Sequence, residues 1–376
     1  MLRSIWMRFN YTRLLDSVRV RIAVNGVRGK SSLVVLLERL FRSRGFTTYG
    51  KVTGENPFSI KDGVFYPIPR MEGFPISLDE NICEFYKYFP FDAMIVENQA
   101  ITPYTIRVVN ELLVKPHIIV VTNVRRDHGD SLGWDLRSVA RSLGRGFSRA
   151  SIVVCGEQRV ELNSILERYA RGVGALFDVV EVPEAVRGLP GVELVFIASR
   201  IMDRLGLDSM KPYEEGEALE SILKHFTLRE SSIGVSWFPG AKLNDIDSTS
   251  IVLKYMMDRY PSRGFMLVAY FRSDRPSRTI SFTEFFDNID LDRVGRIYLV
   301  GFGADYVYRR VKGRVREVSR ILPDSTKSIE QIIQEARDTG YVIFTIGNQV
   351  NNFMRTLTAI LEPGIEKTVT TIFKSN

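Results

Sequence analysis

The chain has 376 residues, 45% hydrophobic and 25% charged, with a net charge of +7. That length suits two domains with a core each, and the composition is globular rather than disordered or fibrous. Two cysteines, Cys83 and Cys155, exclude a disulfide framework and a cysteine-rich metal site; no apolar run approaches the ~20 residues of a membrane helix, and the basic balance favours an anionic partner.

At the N-terminus, Leu2, Ile5, Trp6 and Phe9 fall at helical spacing, and Arg3 and Arg8 break the run too often for a signal peptide. Packing on the protein's own domain is the reading preferred over a membrane-surface helix, and a reducing cytosol is the default compartment.

The run Val18 to Val24 reads as a strand, and Leu33 to Phe41 reads as a helix with one broad buried face. Between them lies Asn25-Gly26-Val27-Arg28-Gly29-Lys30-Ser31-Ser32. A glycine-rich turn between strand and helix aims backbone N–H groups at an anion, while Lys30 and Ser31 suit terminal phosphates and Mg²⁺. The commoner G-x-x-x-x-G-K-[ST] spacing would place glycine at Val24, so this loop is the shorter G-x-x-G-K-S. A plain turn with a capped helix is the competing explanation, and the strand and helix on either side weigh against it.

Phe46 to Thr53 is β-rich, and residues 54–78, with four prolines and three glycines, read as a long surface loop. Asp79 to Phe89 is expected as a helix with Asp79 as its N-cap. Strands are expected at Asp92–Glu97, His117–Val121 and Ser151–Cys155, and helices at Tyr104–Val114 and Asp135–Phe147. Alternating strands and helices with near-continuous apolar strands imply a parallel sheet covered on both faces. Asn25, Glu97 and Asn123 then share its carboxyl edge, where such sheets bind ligands. Val192 to Ile197 looks like a strand and Glu214 to Phe226 like a helix.

A boundary is placed near Ser231, giving domains 1–230 and 231–376. The second half repeats the alternation: strands at Ile233–Phe238, Phe265–Phe271, Ile297–Val300 and Tyr341–Ile346, with helices at Ser248–Tyr260, Phe282–Asn288, near Ala304, at Ser328–Ala336 and at the end.

Three further stretches carry polar chemistry. Glu97, leaving a strand beside the phosphate loop, is placed to hold Mg²⁺, although a capping or surface glutamate would look the same. His128, between Asp127 and Asp130, suits metal binding or proton handling; an exposed loop histidine is the alternative. In Phe238 to Thr249, Asp247 or Ser248 also reads as a plain N-cap.

Taken in order, Asn25-Gly26-x-Arg28-Gly29-Lys30-Ser31, Glu97-Asn98-Gln99-Ala100 with Pro103, and Thr122-Asn123-Val124-Arg125-x-Asp127-His128-x-Asp130 form a recurring set. Asn244-Asp245-x-Asp247-Ser248-Thr249, Asp274-Arg275-Pro276-x-Arg278 and Gly347-Asn348 continue it. The set resembles the Mur ligase superfamily of ATP-dependent amide ligases. Within it the resemblance is strongest to the CapB/PgsB branch, the ligase subunit of poly-γ-glutamate synthesis.

The resemblance implies an α/β fold: a P-loop central domain with a mostly parallel sheet and a smaller, Rossmann-like C-terminal domain. It implies ATP bound through Asn25, Gly26, Arg28, Gly29, Lys30, Ser31, Ser32 and Asn123, with Asn244, Asp245 and Asp247 near the adenosine. Mg²⁺ would be held by Ser31, Glu97 and His128, and catalysis would rest on Lys30, Glu97, His128 and Arg275, with Arg28 and Arg278 as further cations. The substrates implied are glutamate or another amino acid or carboxylate, extending to a polyanionic γ-glutamyl chain. Membrane-protein partners and a cytoplasmic, membrane-peripheral location follow from the same resemblance, and no nucleic acid is expected.

Two departures sharpen it. The loop lies so near Met1 that no N-terminal domain for a UDP-linked precursor is expected. The helix position where many relatives carry a carbamoylated lysine matches Leu143, which favours the CapB-like branch over the folate ligases. Arg126 stands where relatives usually have proline. Arg137, Arg141, Arg145 and Arg149 recur every fourth residue and belong to no motif; a basic stripe and a solvated face are the two readings. The rival functions are a ligase of folate-like or other small carboxylates, and a P-loop NTPase with a nucleic-acid or binding role.

Overall fold

The computed structural model describes residues 10–54, 56–69, 77–99, 102–127, 129–290, 292–315 and 319–362. Met1 to Phe9, His128 and Ala100 therefore lie outside the described residues, with the helical reading of the N-terminal nine. The chain divides into two compact units, Met1–Ile222 and Leu223–Asn376.

The first unit holds strands β1 (Val20–Asn25), β2 (Thr48–Val52), β3 (Phe58–Lys61), β4 (Val64–Pro67), β5 (Ala93–Glu97), β6 (Ile118–Val121), β7 (Ile152–Cys155) and β8 (Leu176–Val179). They form one sheet in the order β4-β3-β2-β5-β1-β6-β7-β8. From β2 to β8 every neighbour is parallel. All six residues of β1 are buried, as a strand covered on both faces requires. The helix Lys30–Ser43 buries Leu33, Val34, Leu37, Leu40 and Phe41, a helical stripe, against Ile22, Val24, Ile95 and Val120. Each such side chain contributes about 2 kcal/mol on burial.

The second unit holds β9 (Arg229–Glu230), β10 (Ser236–Phe238), β11 (Phe265–Phe271), β12 (Val294–Gly301), β13 (Ser319–Leu322) and β14 (Val342–Gly347). Their order is β13-β12-β11-β14-β10-β9. All pairs are parallel except β9 with β10. Helices Ile246–Arg259 and Pro276–Asn288 pack Val252, Met256, Phe282 and Phe286 on one face of this sheet.

Several expectations are corrected. Residues 54–78 are no simple loop, because β3 and β4 extend the sheet as an antiparallel hairpin. The helix Leu78–Tyr88 is capped by Ser77 in a reciprocal pair with Glu80, so Asp79 lies inside its first turn. Val192 to Ile197 is the start of a helix, Val192–Arg204, entered through Gly191 at φ 73°. Its buried residues Leu194, Val195, Ala198, Ile201 and Met202 follow helical spacing. Asp245, rather than Asp247 or Ser248, caps Ile246–Arg259 by accepting the Ser248 N–H at 2.7 Å. The helix after the aspartate-rich loop ends at Arg145, so Arg149 leaves the stripe.

Lys51, on β2, is 1% exposed and donates to Asn81 Oδ1. Burial pushes its ammonium down to about 8, against the opposing pull of Glu84, Glu97 and Glu80. The folded protein thus releases this proton near pH 8 and the unfolded chain near 10.5, the ordinary lysine value. Between those values the unfolded state holds more protons, so stability rises with pH, by up to about 3 kcal/mol from this group. Urea titrations below and above the window should show that rise in the native protein and a smaller one in Lys51→Met. Core truncation gives a second test: Leu37→Ala should cost about 2–5 kcal/mol of stability, read as a lower urea midpoint for the first unit.

Candidate active site

Three adjacent parallel strands, β5, β1 and β6, end together. Val24 pairs with Glu97 and Asn25 with Val121, so Asn25, Glu97 and Asn123 leave the sheet on one edge. The loop after β1 turns at Gly26, φ 110°, and at Gly29, φ 79°, both backbone shapes that side chains resist. Gly26 is also packed tightly: a Cβ there would lie 2.2 Å from Thr122 Oγ1. Gly29 occupies the N-cap of Lys30–Ser43 and offers no side-chain cap. The first-turn N–H groups of that helix have no intrahelical acceptor, and they face the end where anions are favoured.

Asn123 braces the loop. Its Oδ1 accepts the Arg28 N–H at 3.0 Å, and its Nδ2 donates to Arg28 O at 3.1 Å and to Glu193 Oε1 at 2.9 Å. The Val27 N–H donates to Asn123 O at 3.2 Å. Arg28 itself pairs with buried Asp127 at 2.6 Å. Lys30 Nζ donates to Val27 O at 3.1 Å, folding the ammonium back over the loop. Burial holds the Lys30 ammonium below its ordinary range; Arg28 adds to that, while Glu97 and Asp127 oppose it.

Ser31 Oγ donates to Glu97 Oε2 at 2.8 Å, and the Thr53 N–H donates to the same oxygen at 3.2 Å. Asn25 is fully buried, and its Oδ1 has no hydrogen-bond partner among the described residues. The Ser31 hydroxyl and the Glu97 carboxylate are hard oxygen donors of the kind a divalent cation takes, and Asn25, one position beyond the residue paired with Glu97, adds an unspent amide oxygen on the same strand edge. Among the described residues no group of three or more His, Cys, Asp or Glu clusters. Mg²⁺ sites of this kind need only one or two carboxylates beside a substrate's phosphates. Ser32 is exposed in the first turn of the helix.

In the second unit the corresponding edge gathers a separate group. Arg278 Nη1 donates to Asn244 Oδ1 at 3.0 Å and to Asn348 Oδ1 at 3.1 Å. Asn244 sits at φ 62°, and Asn348 is anchored by its N–H to Tyr270 O at 2.8 Å. Asp245 is buried and committed to its cap, Asp247 is half-buried in the first turn, and Arg275 is exposed just before Pro276. Asp274 pairs with Arg272.

Two functional neighbours escaped the sequence reading. Glu193 reaches Asn123 because the stretch read as a strand is a helix, and Leu194 beside it covers Gly29. Glu157 accepts the Val124 N–H at 3.0 Å and pairs with Arg159 at 2.7 Å, steadying the Asn123 loop from β7. Its only sequence signal is a Gly-Glu directly after an apolar strand. Leu143 is fully buried in an apolar cluster, and Asn98 is engaged with Ile106 O and Asn110.

Comparison with known structures gives the class first. Escherichia coli FolC in complex with ADP aligns at a TM-score of 0.62 and 14% identity, covering 100% of this chain and 95% of that one. A Yersinia pestis bifunctional folylpolyglutamate synthase/dihydrofolate synthase with AMPPNP and a Mn ion aligns at 0.62 and 14%, covering 96% and 92%. The chain thus has the Mur-ligase-like fold of these synthases. In sequence it is similar to CapB proteins. Residues 226–363 match the family model of the poly-gamma-glutamate synthase CapB C-terminal domain. The chain is 22% identical to the PGA synthase CapB of Bacillus subtilis (strain 168) over 350 residues, 89% of this chain and 88% of that protein. It is 27% identical to the capsule biosynthesis protein CapB of Bacillus anthracis over 143 residues, 37% of this chain and 31% of that protein.

Gly26→Ala tests the loop geometry directly. Its methyl group would collide with Thr122 and force an unfavoured φ, so ATP affinity should fall by roughly ten-fold or more, about 1.4 kcal/mol. Isothermal titration with a non-hydrolysable ATP analogue measures this, and unchanged affinity would refute the assigned role of the turn.

Proposed function

We propose that this chain is an ATP-dependent acid–amino-acid ligase of the poly-γ-glutamate synthase kind. The observation that carries the proposal is the Ser31–Glu97 pair at 2.8 Å beneath a glycine-built anion loop, in a chain similar to CapB. Phosphates of ATP would lie on the Gly26 to Ser31 backbone, with Lys30 swinging from Val27 O to the terminal phosphate. Ser31, Glu97 and the unspent Asn25 oxygen, joined by His128, would hold a divalent ion, taken here as Mg²⁺. That ion would supply charge neutralisation at the phosphates when bound.

A substrate carboxylate attacks the γ-phosphorus, releasing ADP and leaving an acyl phosphate. An amine then attacks the acyl carbon, loses a proton and expels inorganic phosphate, which forms the amide. Such transfer needs positioning and positive charge more than a protein nucleophile. Lys30 and Arg28 are the cations of the first unit; Arg275 and Arg278 are those of the second. Asn244 and Asp247, at the Arg278 edge, are assigned to the nucleoside, and buried Asp245 shapes that turn. Glutamate is the proposed amino acid. The same resemblance extends the proposal to membrane-protein partners at the cytoplasmic face, supported by the net charge of +7. No helix among the described residues is long and apolar enough to cross a membrane.

The competing small-carboxylate ligase shares this chemistry, and the apolar surroundings of Leu143 favour the CapB-like reading. ADP and phosphate release should require an added amino acid, with mass spectrometry of the products showing γ-linked glutamate. Release driven by a polynucleotide, or indifferent to any amino acid, would refute the ligase. Lys30→Ala and His128→Ala should each lower turnover by roughly a hundred-fold or more while circular dichroism stays native. Full activity in Lys30→Ala would remove the mechanism.

A further inference from the structure

The arginines that match no motif meet a cavity. The helix Leu136–Arg145 carries Arg137, Arg141 and Arg145 and no acidic residue. It packs on the helix Val160–Gly172, with the Tyr169 ring against Gly144. A Cβ at Gly144 would sit 2.4 Å from that ring. Beside this contact opens a cavity of about 440 Å³ whose lining includes Ile165, Tyr169, Arg137, Arg141, Arg168 and Glu161.

Arg137, Arg141 and Arg168 are all exposed. None of the three forms an ion pair with a described carboxylate. Arg171, one turn beyond Arg168, shows the contrast, since it is held by Glu167 at 2.6 Å. Three cations outnumber Glu161 on the lining and Asp135, the helix N-cap whose carboxylate feels Arg141, so the cavity keeps a net positive charge. Guanidinium groups from two helices thus converge on one concavity.

The row sets the length of anion it can meet. Arginines four residues apart on a helix stand ~6 Å from each other along its axis. A flexible γ-glutamyl chain carries one carboxylate per repeat of five backbone bonds, so a few repeats bring several carboxylates within reach of Arg137, Arg141 and Arg168 together. Planar guanidinium groups suit carboxylates, which they can bind through two hydrogen bonds.

We propose that this cavity and its arginine row form a second binding site, for a γ-linked polycarboxylate chain. It would hold the product by carboxylates away from the reacting end, a role that rests on the ligase reading given above. Because each pair is solvent-exposed and individually weak, affinity arises from several repeats and falls with salt. Free glutamate gains little from such a site.

The test is equilibrium binding of fluorescently labelled poly-γ-glutamate to the full chain without ATP, in parallel with glutamate-dependent ATP turnover. Arg141→Glu/Arg168→Glu should weaken polymer binding by roughly ten-fold or more. A charge-matched control, Arg39→Glu/Arg171→Glu, removes two arginines already paired to carboxylates and should leave binding within about two-fold. Turnover with free glutamate should be unchanged in both. Equal weakening in the two variants, no weakening in the first, or no polymer binding by the native chain would each overturn the site. A single-stranded oligonucleotide bound as tightly as the polymer in the same salt would overturn its specificity for polycarboxylates. The two readings fail separately: absence of amino-acid-dependent turnover with cavity-dependent polymer binding removes only the ligase. Intact turnover with cavity-independent binding removes only the site.

Discussion

The first unit depends on one close approach, the backbone of Gly26 against Thr122. These residues leave neighbouring parallel strands, and no side chain fits between them. The contact forces the loop after β1 to turn over the sheet edge instead of running outward. Once it turns, Asn123 lies within reach of both the N–H and the carbonyl of Arg28 and fixes the loop's shape. The following helix then presents its unpartnered first-turn N–H groups to whatever anion occupies the loop. Much of the binding geometry is thus built before any ligand arrives, which lowers the ordering cost of binding.

Charge in that unit is balanced locally. Arg28 is taken by Asp127, Lys30 rests on a carbonyl, and Glu97 receives Ser31 and Thr53. Lys30 is the group with most to gain from a phosphate, because burial lowers its affinity for the proton and a carbonyl only partly compensates. The second unit uses the same carboxyl-edge logic with different chemistry. There a single guanidinium, Arg278, ties together two asparagines from the segments that follow strands β10 and β14, with the helix after β11 supplying it. Its neighbour Arg275 is left exposed. The arginine cavity between Leu136–Arg145 and Val160–Gly172 lies on a helical face of the first unit and draws on none of these residues.

The sequence was most readable where burial on both faces demanded continuous apolar strands, as in β1, β5, β6, β7 and β11. It was least readable where local preference and tertiary setting disagree. Val192 to Ile197 has the composition of a strand, yet its neighbours at Ala198, Ile201 and Met202 complete a helical stripe against Lys30–Ser43. The β3–β4 hairpin was hidden because β4 is an exposed edge strand whose four residues show no buried alternation. β13 was missed for a similar reason, since two of its four residues are exposed. Caps were displaced by two or three residues because aspartates and serines compete for the same N–H groups.

What the sequence by itself determined was the kind of chemistry and its order along the chain. Glycines at the turn, Lys-Ser at the helix start, a carboxylate at the next strand end and an asparagine at the one after can be read without coordinates. Each is tied to a strand end that the apolar pattern marks. What only the tertiary structure decided was which groups are already committed and which remain free. Asp245 is spent on a cap, Asn98 on a helix carbonyl and Asp127 on Arg28, whereas the Asn25 oxygen has no partner among the described residues. The arginines of two helices separated by some thirty positions also meet only in the folded chain. Hydrogen-bond commitment and charge juxtaposition depend on distances between residues remote in sequence, and the packing of helices on the sheet sets those distances.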